Sequence, residues 1–248
     1  MKLPALKIET TSMFLHLLAM ACMLGDHLWA TVIPGNGWLT CIGRIAFPIF
    51  AFLLVEGYFH THDLKKYALR LLLWALISEI PFNLVMGSTL FYPFHQNVLW
   101  TLLIGLLLIH VNELAKNTGK WPLRVLACIG TVALALPLGF GTMVDYYSYG
   151  IWIVMVFYFF HGRRWWDFLG QFLLLAYINL ELFAGYSYEI HLFGTTFLFA
   201  QQGFALLALI PIWLYRGKQG PHSKALQYTY YAFYPLHLLI LGLIQVLR

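Results

Sequence analysis

The chain has 248 residues, of which 61% are hydrophobic, 18% aromatic and only 10% charged, with a formal net charge of +5. Soluble domains carry about 25% charged residues, so too little polar material is present to cover a water-exposed globule. That excludes a soluble enzyme; the aromatic load excludes a disordered chain and three cysteines exclude a disulfide-stapled secreted module.

A bilayer-spanning helix needs about 20 mostly apolar residues. Nine apolar stretches are candidates, the sixth of them short, each bounded by polar or Gly/Pro-rich breaks: 12–33, 38–58, 66–87, 97–115, 121–140, 147–161, 164–184, 200–215 and 226–247. The expected fold is therefore all-α, a polytopic bundle of about nine spanning helices making one integral-membrane domain over residues 1–248. The start, with Lys2, Lys7 and the run from Met13 to Leu24, shares features with a secretory signal. Cleavage there would discard Asp26 and His27, and the run is read as the first spanning helix. Cys22, Cys41 and Cys128 lie in apolar runs without a CxxC pair and read as small buried hydrophobes.

Charge placement fits this threading. Cationic loops stay on the cytoplasmic side. With the N-terminus inside, the inner segments hold Lys2 and Lys7; Lys65, Lys66 and Arg70; Lys116, Lys120 and Arg124; Arg163 and Arg164; and Arg216, Lys218 and Lys224. Only Arg44 and Arg248 of the 15 Lys and Arg residues fall on the outer half. The expected location is the cytoplasmic (inner) membrane, where anionic headgroups account for the net charge. No basic stripe supports nucleic-acid binding. No internal repeat is evident, whereas transporters often carry inverted ones.

Ionisable side chains within spanning helices cost about 2.5–3.5 kcal/mol each at the bilayer centre, so they mark candidate sites. Asp26 and His27 come first, in the outer half of the first helix. A carboxylate beside an imidazole can orient it or raise its basicity for general-base work. Adjacent helix residues diverge, however, so either may pair with another helix. Arg44, in the outer third of the second helix, lies at similar depth across one short loop. It is equally readable as a structural ion-pair partner of Asp26 and as a functional cation. Pro48 frees the carbonyl one turn earlier and is expected to kink that helix.

Glu56 and His60 share a face at the inner end of the second helix, close to Lys65, Lys66 and Arg70. His60 and His62 alone are a weak metal signal, and no metal is expected. With Gly57 as a point of close approach, the basic rim suits a phosphorylated cofactor entering from the cytosol. The same cations also serve topology. Glu79 to Asn83 is expected to break the third helix at Pro81, lining a cavity and leaving Glu79 to neutralise Arg44 or activate a nucleophile. Asn97 opens the fourth helix, whose first amides favour an oxyanion, with Thr101 one turn on. Asp145, Tyr147, Glu181, Glu189, His191 and His237 each read more readily as structural.

Together these segments resemble the TraX family of conjugal-transfer and acyltransferase-like membrane proteins. The resembling stretches are Met23-Leu24-Gly25-Asp26-His27, Ile42 to Phe50 continuing through Val55-Glu56-Gly57, Lys66-Tyr67 with Arg70-Leu71, Ser78 to Asn83, Gln96-Asn97-Val98 through Thr101, and Phe233 to Leu238. The match is dense over 20–105, sparse in the middle, and returns near the end. The resemblance implies N-acetylation, associated in the family with the N-terminus of a pilin subunit, and an acyl group carried from cytosolic acyl-CoA to an acceptor across the membrane. On that basis acetyl-CoA is the expected co-substrate, with Glu56, His60, Lys65, Lys66 and Arg70 at its nucleotide end. His27, supported by Asp26 or Glu79, would deprotonate the acceptor, and Asn97, Arg44 or nearby amides would stabilise the oxyanion. The acceptor stays open between a peptide N-terminus, a sugar and a small amine, and an oligomer is compatible. The competing readings are a transporter or channel with a midplane polar site, a structural component of an envelope assembly, and a haem protein.

Overall fold

The computed structural model describes residues 9–192, 194–221 and 223–247. The chain is 74% helical. Its elements run α1 (Ser12–Thr31), α2 (Trp38–Gly43), α3 (Ala46–His60), α4 (Leu64–Gly87), α5 (Val98–Asn117), α6 (Trp121–Gly141), α7 (Tyr147–Phe159) and α8 (Trp165–Tyr177). A π-turn (Ile178–Leu182), strands β1 (Ser187–Leu192) and β2 (Thr195–Ala200), a 3-10 segment (Gln201–Ala208), α9 (Leu209–Leu214) and α10 (Lys224–Val246) complete it.

Among the described residues, six helices are long and apolar enough to cross a membrane: α1, α2 with α3, α4, α5, α6 and α10. Each remaining expected stretch holds helix as well, but in shorter pieces. Lys2, Lys7 and Arg248 lie outside the described residues.

The local signals are readable at the helix ends. Thr11, Asp63, Asn97 and Ser223 each accept a backbone N–H in the first turn of α1, α4, α5 and α10. Proline at 48 has no N–H to return to the carbonyl of Arg44. The helix duly parts at Arg44 and Ile45, separating α2 from α3. Pro81 behaves otherwise: α4 runs unbroken through it to Gly87. The expected break is corrected because Pro81 and its neighbour Phe82 are buried among packed side chains, which hold the helix through the lost bond.

The fold also departs from all-α at 187–200, a stretch that begins between the expected helices 164–184 and 200–215 and takes in the first residue of the latter. Two antiparallel strands pair Ser187 with Ala200 through Leu192 with Thr195, and Gly194 at the turn takes φ +78°, a conformation glycine adopts at no steric cost. Tyr188, Ile190, Phe197 and Phe199 supply β-favouring side chains.

Inside the bundle, α3 is the most enclosed element; nothing on Ile49, Ala51 or Val55 is exposed. It packs against α7, α1 and α5, and α10 lies between α4 and α1. The outer faces are apolar: on α4, Leu69, Leu73, Leu76, Ile77 and Ile80 are all exposed, at helical spacing. This is the pattern of a lipid-facing surface, where helices are held by close packing and buried polar contacts rather than by hydrophobic burial.

The two ends of the bundle are distinct. Thr10 meets Tyr215 and Arg163 donates to the Tyr215 carbonyl at one end. At the other, Gln96 pairs with Val144 and the hairpin reaches α2 through the Tyr188 hydroxyl, 3.1 Å from Cys41 Sγ.

Candidate functional site

The site is built where α1, α2, α4, α5 and α10 converge at the hairpin end. Arg44 Nη2 reaches both oxygens of Asp26 at 2.5 Å. Its Nε donates to the Thr40 carbonyl at 3.1 Å and Nη2 also to the Thr40 hydroxyl. The helices approach so closely that a methyl carbon on Gly43 would lie 2.4 Å from Asp26 Cβ. The pairing across one short loop is therefore as the sequence suggested. Both side chains are about one-sixth exposed, at 16% and 18%, so the pair is fixed but not fully enclosed.

That pairing takes Asp26 away from its sequence neighbour. His27 instead places Nδ1 2.6 Å from Nε2 of His237 on α10. Tyr234, one turn before His237, has its ring 6.3 Å from that of His27. His237 is buried, with 7% of its surface exposed. It was readable beforehand only as one more isolated polar residue; its partner lies 210 positions away. The recurrence of histidine beside a proline-containing helical turn, Tyr234-Pro235-Leu236-His237, was the available signal.

Glu79 is not near enough to Arg44 to pair with it. Its Oε1 accepts from the Asn97 backbone N–H at 3.3 Å, from the Asn97 side-chain amide, and from Trp100 Nε1 at 2.7 Å. A carboxylate in that position complements the positive end of α5. Asn97 spends its second amide hydrogen on the Ala75 carbonyl at 2.8 Å, and its Oδ1 accepts from Leu99 N. Fully buried, with both amide hydrogens committed, Asn97 has none left for an oxyanion. The roles expected of Glu79 and Asn97 are corrected accordingly: together they clamp α4 to the start of α5.

Thr101 donates to the Asp145 carbonyl at 2.5 Å, and His95 Nε2 lies 3.3 Å from Asp145 Oδ1. These contacts tie the 88–97 loop and the first turn of α5 to the 142–146 loop. The Asp145 carboxylate raises the His95 pKa above its ordinary value, against a smaller opposing effect of burial.

The opposite end holds the expected cofactor residues. A cavity of about 600 Å³ is walled there by Glu56, Gly57, His60 and Arg70, with His16, Tyr230 and the 217–221 loop. It continues along α1 from Ser12 to Met23, about 16 Å at 1.5 Å per residue, and ends among Val98, Leu99 and Tyr234. His27 is not part of its wall. Met23, one turn before His27, and Tyr234, beside it, are.

Arg70 Nε is buried without a hydrogen-bond partner, as is the Tyr230 hydroxyl. Both residues line the cavity, while these two donor atoms themselves are enclosed by protein. At Gly57, expected as a point of close approach for a cofactor, it is the Tyr67 hydroxyl of α4 that comes close: a methyl carbon there would lie 2.8 Å from it. Glu56 is held by His161, 2.6 Å away, more closely than by His60 at 4.0 Å.

Lys65 and Lys66 are exposed and stand outside the cavity wall. Lys66 is bound to Asp63 at 3.1 Å, and its backbone N–H, then its ammonium, hold the Asp63 carboxyl below its ordinary value. His16 stacks on Tyr230 with ring centres 4.4 Å apart. Among the described residues no group of three His, Cys, Asp or Glu is placed to hold a metal ion.

A family model described as TraX protein matches residues 12–245. A curated protein of Dichelobacter nodosus, described as probable fimbrial assembly protein FimC, serogroup H1, is 26% identical over 94% of this chain and 95% of its own. No solved structure matches.

Proposed function

We propose a function that proceeds from one established point: the chain belongs to the TraX family. We infer that it is an integral-membrane acyltransferase, taking an acetyl group from acetyl-CoA and passing it to an amine or hydroxyl acceptor. The observation that carries this reading is the cavity, walled by Arg70 and His60 toward one end and by Met23, one helical turn from His27, toward the other.

Arg70 and His60 fit the phosphates of the donor, with Lys65 adding attraction outside the wall and Lys66 less, its ammonium being held by Asp63. The thioester then lies at the Val98 and Tyr234 end. His27 takes the proton of the acceptor nitrogen as that nitrogen bonds to the thioester carbonyl carbon. The C–S bond breaks and the thiolate recovers the proton. Arg44 is held by Asp26 and Thr40 through Nε and Nη2, which leaves Nη1 for the developing oxyanion. No step needs a cysteine nucleophile.

The setting proposed is the cytoplasmic membrane, with nine passes, the N-terminus inside and the Asp26 to Arg44 pair toward the outside. The distribution of Lys and Arg supports that orientation. The family and the relative's description as a fimbrial assembly protein support a pilus or fimbrial subunit as acceptor, acetylated on its terminal amine.

The test is the purified protein in nanodiscs with acetyl-CoA and an amine-bearing peptide, following thiol release and peptide mass. Equal amounts of free thiol and acetylated peptide are expected. Loss of a general base costs about 10²- to 10⁴-fold, so His27→Ala is expected to fall by at least the lower figure. Folded wild-type protein that consumes no thioester overturns the proposal, and solute flux without thioester consumption assigns the transporter reading instead.

A further inference from the structure

We propose that His237 is a positioning residue for His27, fixing its imidazole in the tautomer protonated on Nδ1 so that Nε2 is the proton acceptor. The hydrogen bonds permit one arrangement of two neutral rings. His237 Nδ1 lies 2.6 Å from the Phe233 carbonyl of its own helix. A carbonyl only accepts, so that nitrogen carries the hydrogen and Nε2 of His237 carries a lone pair. That lone pair sits 2.6 Å from His27 Nδ1. Two lone pairs cannot face each other at this distance, so His27 Nδ1 bears the shared hydrogen and His27 Nε2 is bare.

Ring geometry agrees. A ring nitrogen lies about 1.2 Å from its ring centre, so a straight in-plane bond of this length separates the centres by about 5 Å. The centres are 4.9 Å apart and the planes differ by 13°, so the rings meet edge to edge in nearly one plane, as a hydrogen bond requires. Face-on stacking would bring the centres closer.

No carboxylate competes for the task. Both oxygens of Asp26 are on Arg44 and Glu79 is on Asn97 and Trp100. His237 thus stands where other acyl-transfer sites place an orienting carboxylate. When His27 gains a proton on Nε2, its Nδ1–H still has an acceptor in His237, whose own N–H is held by Phe233. The charge is stabilised along this chain and no proton has to leave it. The kinetic consequence rests on the acyltransferase reading; the tautomer does not.

The test is long-range ¹H–¹⁵N correlation on the full chain in nanodiscs with ¹⁵N-histidine, the His27 signals being those lost in His27→Gln. The wild type is expected to show Nδ1 protonated and Nε2 bare. His237→Phe, which removes the acceptor, is expected to move His27 to the other tautomer or a mixture, and to slow acetyl transfer about 10- to 100-fold. His237→Gln offers an acceptor oxygen and is expected to restore part of both. Wild-type His27 protonated on Nε2, or a tautomer unchanged in folded His237→Phe, overturns the inference. If His237→Phe does not fold, the wild-type spectrum alone decides it. The expected tautomer in a protein that transfers no acetyl group upholds the positioning role and sinks the acyltransferase.

Discussion

Replacing Gly43 by alanine tests whether the outer site depends on the close approach of α1 to α2. The added methyl carbon would lie 2.4 Å from Asp26 Cβ, 2.7 Å from Cγ and 2.8 Å from Oδ1. Favourable carbon contacts begin at about 3.5–4.0 Å, so the helices must part by more than 1 Å. Asp26 Cβ is fixed to the backbone and cannot swing aside. Overpacking of this kind costs about 1–3 kcal/mol, and the same displacement stretches the 2.5 Å contact between Arg44 and Asp26.

The control is Gly130→Ala in the middle of α6, where an added methyl meets nothing within 4 Å. Alanine there gains helix propensity of about 1 kcal/mol. Cys22 and Cys41 are buried and Cys128 is half-buried, so a thiol-reactive dye that labels them as they become exposed reports unfolding. A lowered melting midpoint and reduced acetyl transfer are expected for Gly43→Ala, with an unchanged or raised midpoint for Gly130→Ala. A Gly43→Ala protein as stable and active as the wild type would refute the packing argument.

Asn97→Ala removes a helix cap and two buried amide hydrogen bonds, and is expected to cost about 1–3 kcal/mol. Its turnover per folded molecule should stay within about twofold of wild type, since Asn97 serves the fold. Arg70→Gln is expected to raise KM for acetyl-CoA at least tenfold with kcat little changed, because a charge-assisted phosphate contact contributes about 1.5–3 kcal/mol. Lys66→Gln should do much less, its ammonium being spent on Asp63. The raised His95 pKa means that the native state binds this proton more tightly than the unfolded chain does. Its contribution is complete below the ordinary value of 6.5 and lost as pH rises through the higher folded value. Thermal midpoints measured across that range should fall for wild type by more than for His95→Gln, and equal slopes would count against the His95 to Asp145 contact.

What the sequence disclosed follows from how local each signal was. The Asp26 to Arg44 pair was legible because a single short loop joins two helix ends at equal depth. The parting of α2 and α3 was legible because Pro48 acts on a carbonyl four residues away. Pro81 carries the same local chemistry, yet α4 continues, since packing decides whether a missing bond breaks a helix. The partners of His27, Glu79 and Asn97 are choices made between helices, and composition holds no record of them. The hairpin had a signal in the alternation of Tyr188, Ile190 and Leu192 with Glu189 and His191. Its length, six residues a strand, was overshadowed by the surrounding apolar runs.

The most direct test of the two-ended site is a structure of the protein in nanodiscs with a non-hydrolysable acetyl-CoA analogue. The account predicts adenine and phosphate density beside Arg70 and His60, with the acyl end against Val98 and Tyr234, one turn below His27. Analogue bound on the Asp26 side of the bundle, or a cavity filled by a lipid tail at saturating analogue, would contradict it.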